Sequence, residues 1–124
     1  EAFAIIESVA GFRAKSVAPQ VFQALRIAVN DELGALEILL NTAPKMLNSG
    51  GRLGIISFHS LEDRLVKQTF RTLCSVEKDE TTGADIGKAP FELLQRKAIK
   101  PSDEEIESNP RARSARLRVL RRCL

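Results

Sequence analysis

At 124 residues the chain holds one domain or a piece of one. Its 44% hydrophobic and 28% charged residues are the balance of an ordinary globular protein, which argues against a disordered tract, and a net charge of +3 is too mild to name a partner. No apolar run is long enough to span a bilayer and no signal-peptide pattern is read, so a soluble protein with no membrane partner is expected.

The chain starts at Glu1 without a methionine and enters an apolar stretch at once, so a processed or truncated product is expected. Residues 2–12 look like the end of a helix, with Gly11 as its stop signal. A longer helix is predicted from Pro19, a good first-turn residue because its missing N–H would be unpaired there. Phe22, Leu25, Val29, Leu33, Leu36, Leu40, Ala43 and Leu47 recur every three or four residues and mark one apolar stripe. Pro44 should break that run into a long helix and a short final turn. Asn48-Ser49-Gly50-Gly51 then supplies left-handed residues to end the helix and turn the chain.

Leu53 to Phe58 is interrupted only by Gly54 and Ser57, which predicts a strand buried on both faces, the habit of parallel sheets covered by helices. Ligands of open α/β sheets gather at the carboxyl ends of strands, and His59, Ser60, Glu62, Asp63 and Arg64 follow that end. Ser60 is expected to cap a helix running to about Cys74, in a capping box with the acids that follow it. Residues 76–90 are polar and glycine-containing and predict a mobile loop. Phe91 to Ile99 reads as a second strand, and Pro101-Ser102 before Asp-Glu-Glu as the start of a short helix ended by Asn109-Pro110. Ser114 to Arg121 alternates apolar and basic residues, predicting a half-buried strand antiparallel to the second.

Two cysteines, Cys74 and Cys123, are far apart and form no C-x-x-C, so free thiols are expected rather than a disulfide framework or a zinc site. Charge is concentrated at the end of the chain: residues 111–124 hold six arginines and no acid. Such a segment suits nucleic-acid phosphate through counterion release, and equally suits an edge strand that uses charge against aggregation.

Three segments together resemble the MraW/RsmH family of S-adenosylmethionine-dependent methyltransferases, which modify N4 of a cytidine in small-subunit ribosomal RNA. They are Phe22-Gln23-Ala24-Leu25-Arg26-Ile27 with Val29-Asn30 and Glu32-Leu33; Gly50-Gly51-Arg52-Leu53 through Ser57-Phe58-His59-Ser60-Leu61-Glu62-Asp63-Arg64 with Val66-Lys67; and Asn109-Pro110-Arg111-Ala112-Arg113-Ser114-Ala115 with Leu117-Arg118. The resemblance covers the chain from about residue 16. It implies the carboxyl-terminal part of a class I Rossmann-like α/β sheet, with the last three strands and flanking helices in residues 16–124 and the end of an inserted helical domain in 1–15. The sequence departs from the family pattern at Ser16, Val17 and Gln20, where His, Pro and Arg are usual.

The family's cofactor motifs (a glycine-rich loop, an acid and an Asp-Leu-Gly segment) all fall outside this sequence. The resemblance therefore implies that S-adenosylmethionine is bound mainly by a missing amino-terminal half, that this chain alone is inactive, and that no metal is needed. A free sheet edge should leave it poorly soluble without that half. Its substrate would be small-subunit rRNA or the ribosomal subunit, in the cytoplasm or, in a eukaryote, a mitochondrion or plastid.

Within that frame His59 is the candidate catalytic residue, accepting a hydrogen bond from the cytosine amine or stacking on the base, against a structural histidine. Substrate-binding candidates are Arg26 and Asn30, four apart on one helix face; Ser60, Glu62, Asp63 and Arg64 after the strand; and Arg111 and Arg113 in the turn after Asn109-Pro110. Helix capping is the competing role for Ser60 and Asp63. A non-catalytic RNA-binding or ribosome-assembly module is the alternative function. A hydrolase built on His59 and Asp63 lacks a Gly-x-Ser-x-Gly elbow and a second histidine.

Overall fold

A computed structural model describes residues 1–124, which divide into two compact units, Glu1–Ala35 and Leu36–Leu124. In the first unit, α1 (Ala2–Ala10) ends as expected at Gly11, whose φ of 57° lets its N–H return to the Glu7 carbonyl. A 3-10 turn over Gly11–Arg13 runs directly into α2 (Ala14–Asn30). Ile5, Ile6, Val9 and Ala10 of α1 face Val17 and Val21 of α2. Pro19 does not start α2 but lies within it, because the 3-10 turn has already set the helical path five residues earlier.

The break in the long apolar run falls at Asp31, not at Pro44. Asp31 is the only non-glycine residue with positive φ, at 49°, and it separates α2 from α3 (Glu32–Met46). Aspartate tolerates this left-handed geometry better than most residues. Its carboxylate then lies against Gly34, where an added Cβ would stand only 2.5 Å from Oδ1. Pro44 sits inside α3 and is buried.

In the second unit α3 ends near Met46, and Gly50, with φ of 79°, turns the chain into β1 (Arg52–Ser57). Next come α4 (Ser60–Leu73), the two-residue strands β2 (Glu77–Lys78) and β3 (Asp85–Ile86), β4 (Phe91–Leu93), α5 (Asp103–Ser108) and β5 (Arg116–Arg122). The main sheet has the order β1-β5-β4, with β5 antiparallel to both neighbours. The predicted antiparallel pairing of the last two strands is present, and β1 joins through β5 rather than through a parallel partner.

One face of this sheet carries the core. Ile55, Leu120 and Phe91 pack with Leu40 of α3 and with Val66 and Phe70 of α4, and Phe70 and Leu120 are fully buried. Each such side chain contributes about 2–3 kcal/mol on burial. The expectation that β1 is buried on both faces is not met: Ile55 and Ser57 face the core, while Ile56 and the following Phe58 are more than half exposed. Helices α3 and α4 pack on the core face of β1; Ile56, on the other, borders an open pocket with Ile99, Pro101, Glu105 of α5, Ala115 and Leu117. The outer edge of β1 pairs with no strand in this chain.

Two more segments differ from expectation in secondary structure. Residues 76–90 carry the β2–β3 hairpin, and Asp79 orders its turn by accepting hydrogen bonds from the N–H groups of Thr81 and Thr82, both at 2.8 Å. Those bonds hold the Asp79 carboxyl below the usual range. The second strand stops at Leu93; the chain then bulges outward and returns to β5 only at Ile99, opposite Leu117. Ser102 caps α5 as predicted, accepting from the Glu105 N–H at 3.2 Å. Both cysteines are free thiols, and burial pushes the Cys74 thiol up.

Candidate functional site

At the carboxyl end of β1 the chain leaves the sheet at Ser57, stays extended through His59, and enters α4 at Ser60. The cap is His59, one residue before the predicted Ser60. Its φ and ψ are −141° and 165°, and its Nδ1 accepts the Glu62 N–H at 3.3 Å. Ser60 already occupies the first helical position, where its side chain cannot serve the orphaned amides ahead of it. Glu62 closes the motif from the other side by accepting the Phe58 N–H through Oε2 at 2.9 Å. This reciprocal cap is a variant of the capping box, with an imidazole in place of the hydroxyl and the Phe58 N–H, one residue before the cap, in place of the cap residue's own.

The box fixes the histidine's chemistry. With Nδ1 used as an acceptor, the neutral ring carries its proton on Nε2. The side chain is 6% exposed, and Nε2 lies 3.3 Å from Glu62 Oε1 without forming a hydrogen bond. His59 therefore offers a buried, unpartnered donor, together with a ring face, and its acceptor nitrogen is already engaged.

Asp63, one residue beyond the box, is gripped by Arg118 of β5 in a bidentate pair, Nε to Oδ1 at 2.8 Å and Nη2 to Oδ2 at 3.0 Å. The Arg118 hydrogen bonds hold the Asp63 carboxyl below the usual carboxylate range, against an opposing effect of burial and with help from Arg116 and Lys67. Asp63 is thus ionised and oriented toward β5, and it is not the partner of Ser60 that the sequence suggested. The register of β1 with β5, Ile55 opposite Arg118 and Ser57 opposite Arg116, brings both arginines to this end of the sheet. Phe58, His59, Ser60, Asp63, Ser114 and Arg116 line a cavity of about 260 Å³.

The remaining candidates separate from this group. Arg26 and Asn30 do share a polar site: both donate to Glu32, at 3.3 and 3.5 Å, which ties the end of α2 to the start of α3. Arg64 is exposed on α4 and makes no ion pair. Arg111 and Arg113 are exposed on the 3-10 turn Pro110–Ser114, and the Arg113 carbonyl accepts from Arg116 at 3.3 Å. The sequence reading missed Ser114 and Arg116 as cavity residues and Arg118 as the partner of Asp63. Their only signal was the basic alternation after Ser114, which names no position without the strand register.

A family model described as the MraW methylase family matches residues 2–123. The chain is 58% identical over 106 residues to the ribosomal RNA small subunit methyltransferase H of Anaeromyxobacter sp. (strain K), covering 83% of the chain and 34% of that relative. It is 51% identical over 110 residues to the protein of the same name from Halothermothrix orenii, covering 86% of the chain and 35% of the relative. For the Synechococcus sp. (strain RCC307) protein, also of that name, the identity is 53% over 105 residues, with 85% and 30% covered. The chain spans about a third of the length of the curated relatives it matches.

Proposed function

Since the chain belongs to the MraW methylase family, we propose that the whole protein transfers a methyl group from S-adenosylmethionine to N4 of a cytidine in small-subunit rRNA, with this chain as the carboxyl-terminal part of its catalytic domain. In this reading β1, β4 and β5 are the last three strands of a Rossmann-like sheet, and residues 1–15 close an inserted helical domain. The strand order β1-β5-β4, with a reversed central strand and a free edge on β1, supports it. The observation that carries the proposal is the cavity at the carboxyl end of β1, where Phe58, His59, Ser60 and Asp63 of the family-specific segment 57–64 meet Ser114 and Arg116.

The residues present do not fit the cofactor. Gly50 and Gly51 stand at the amino end of β1, and a Cβ on Gly51 would meet the Asn48 carbonyl at 2.8 Å, so the pair serves the helix-to-strand turn. At the carboxyl end, the Glu62 amide that a ligand carboxylate would use is already bound by His59. These observations support a cofactor bound mainly by the rest of the protein, with this chain inactive alone.

What this chain contributes is position. The cytosine N4 lone pair is delocalised into the ring, so transfer needs a base held in line and an acceptor for the departing proton. Asp63 is committed to Arg118, and His59 has no free acceptor, so the proton acceptor lies elsewhere in the protein. His59 Nε2–H is suited to an oxygen of the base or its sugar-phosphate, and the ring to stacking. The hydroxyls of Ser60 and Ser114 and the Arg116 guanidinium can hold the flanking nucleotide, and Arg64, Arg111 and Arg113 can meet phosphates nearby. Such a protein works beside ribosomes, in cytoplasm or an organelle; no helix of this chain is long and apolar enough to cross a membrane.

Calorimetric titration with S-adenosylmethionine tests the division of labour. The lone chain should show no binding, and a mixture with the amino-terminal part of the Anaeromyxobacter relative should bind. Binding by the lone chain would overturn the missing-seat reading. A mixture that forms a complex yet does not bind the cofactor would favour a non-catalytic RNA-binding or assembly module.

A further inference from the structure

We propose that the groove between the bulge after β4 and the start of β5 is a seat for the phosphodiester backbone of an RNA strand; this rests on the rRNA reading above and names the surface that holds the substrate. If β4 continued in the register that sets Leu93 opposite Leu120, residue 96 would face Leu117. Ile99 stands there instead, three residues later, fixed by two hydrogen bonds of 2.8 and 2.9 Å with Leu117. Leu94 still donates to the Val119 carbonyl at 3.2 Å, so the extra length is confined to residues 95–98. Bulges of this kind re-aim side chains away from the ladder. This one puts exposed Arg96 and Lys97 at its crest, where neither supports the sheet.

Besides Arg118, which is paired with Asp63, five cations meet in the resulting groove of about 260 Å³: Arg96 and Lys97 from the bulge, Lys100 just after it, Lys67 from α4 and Arg116 from β5. None of them has an ion-pair partner. The single acid in the lining, Asp63, is already neutralised by Arg118. Arg116 is held in place by the carbonyls of Arg113 and Ala115, at 3.3 and 2.8 Å, which orient its charge without cancelling it. Five unpaired like charges repel one another, and protecting the edge strand β4 from other strands does not require that they share one groove with Lys67 and Arg116. A polyanion relieves that repulsion and gains from counterion release. A single small phosphate would leave most of the row unmatched, whereas successive phosphates of a strand would not. The groove shares Asp63 and Arg116 with the cavity that holds His59, so a strand lying in it leads to that cavity.

The test is fluorescence anisotropy of the 124-residue chain with a labelled hairpin from small-subunit rRNA, between 50 and 200 mM salt. The double variant Arg96→Gln/Lys97→Gln should weaken binding roughly tenfold or more and flatten the log–log salt slope by about 1.5, since each phosphate contact contributes about 0.7–0.9. Lys78→Gln/Lys88→Gln removes the same charge outside the groove and should leave both unchanged. Lys67→Gln, on the helix opposite the bulge, should lower the slope by about half as much, which separates groove contacts from a rearranged bulge. Equal losses in the two double variants, unchanged binding in the groove variants, or no binding by the wild-type chain would each overturn the proposal. RNA binding that is lost as expected, beside a failure of methyl transfer in the whole protein, would retain the groove and reject the enzyme.

Discussion

Arg118 on β5 grips Asp63 in the first turn of α4 through two parallel hydrogen bonds of 2.8 and 3.0 Å, joining residues 55 positions apart. The pair locks the start of α4 to the sheet at the mouth of the candidate site. Arg118 is 11% exposed and Asp63 23%, so the bond is shielded from water more than a surface ion pair. Asp63→Asn should lower stability by about 2 kcal/mol, the scale of a hydrogen bond to a charged group. Urea denaturation at neutral pH measures it.

The same pair predicts a pH dependence. Because the folded Asp63 carboxyl titrates below its unfolded value, its contribution is fully present above the ordinary carboxylate range and is lost as pH falls through the lower folded value. The stability gap between wild type and Asp63→Asn should hold from pH 7 to about pH 5 and narrow as the medium is acidified below about pH 4. Urea midpoints across that series check the sign.

His59 caps α4 through Nδ1, so His59→Ala should destabilise the chain by about 1 kcal/mol, while His59→Asn should keep most of the cap. Under the proposed function, the two variants in the whole protein separate the roles. If Nε2–H holds substrate, His59→Asn retains stability yet loses activity. Thermal melts beside methylation rates provide both readouts.

Arg122 closes the other end of the unit. Its Nη1 donates to the Lys45 and Leu47 carbonyls at 3.2 and 2.8 Å, capping the end of α3, and its guanidinium lies 6.0 Å from the centre of the Phe91 ring. Arg122→Ala should cost about 2 kcal/mol in urea denaturation. Arg122→Lys should recover less than half, because an ammonium cannot reproduce the planar fork over the ring.

Features decided by neighbouring residues were legible in the sequence: the Gly11 stop, the glycine turn before β1, the Ser102 cap, and the presence of β1 and β5. Features decided across the chain were not. The break at Asp31 depends on a carboxylate folding over Gly34, and an uninterrupted apolar stripe does not reveal it. The bulge after β4 exists only relative to the hydrogen bonds of Leu117, so Phe91 to Ile99 reads as one strand until β5 is in register. The site shows the same division. The cluster after Ser57 was visible as residues, but its roles shifted by one at the cap, and Arg116 and Arg118 acquired theirs only from pairing with β1.

In the proposed function this chain completes a cytidine-N4 methyltransferase. It is tested most directly by replacing the matching segment of the Anaeromyxobacter relative with residues 16–124 and assaying methyl transfer from labelled S-adenosylmethionine to small-subunit rRNA. Label is expected on N4 of a cytidine, and removing the amino-terminal part should abolish it. A folded chimera that binds S-adenosylmethionine and rRNA yet transfers no methyl group would contradict it.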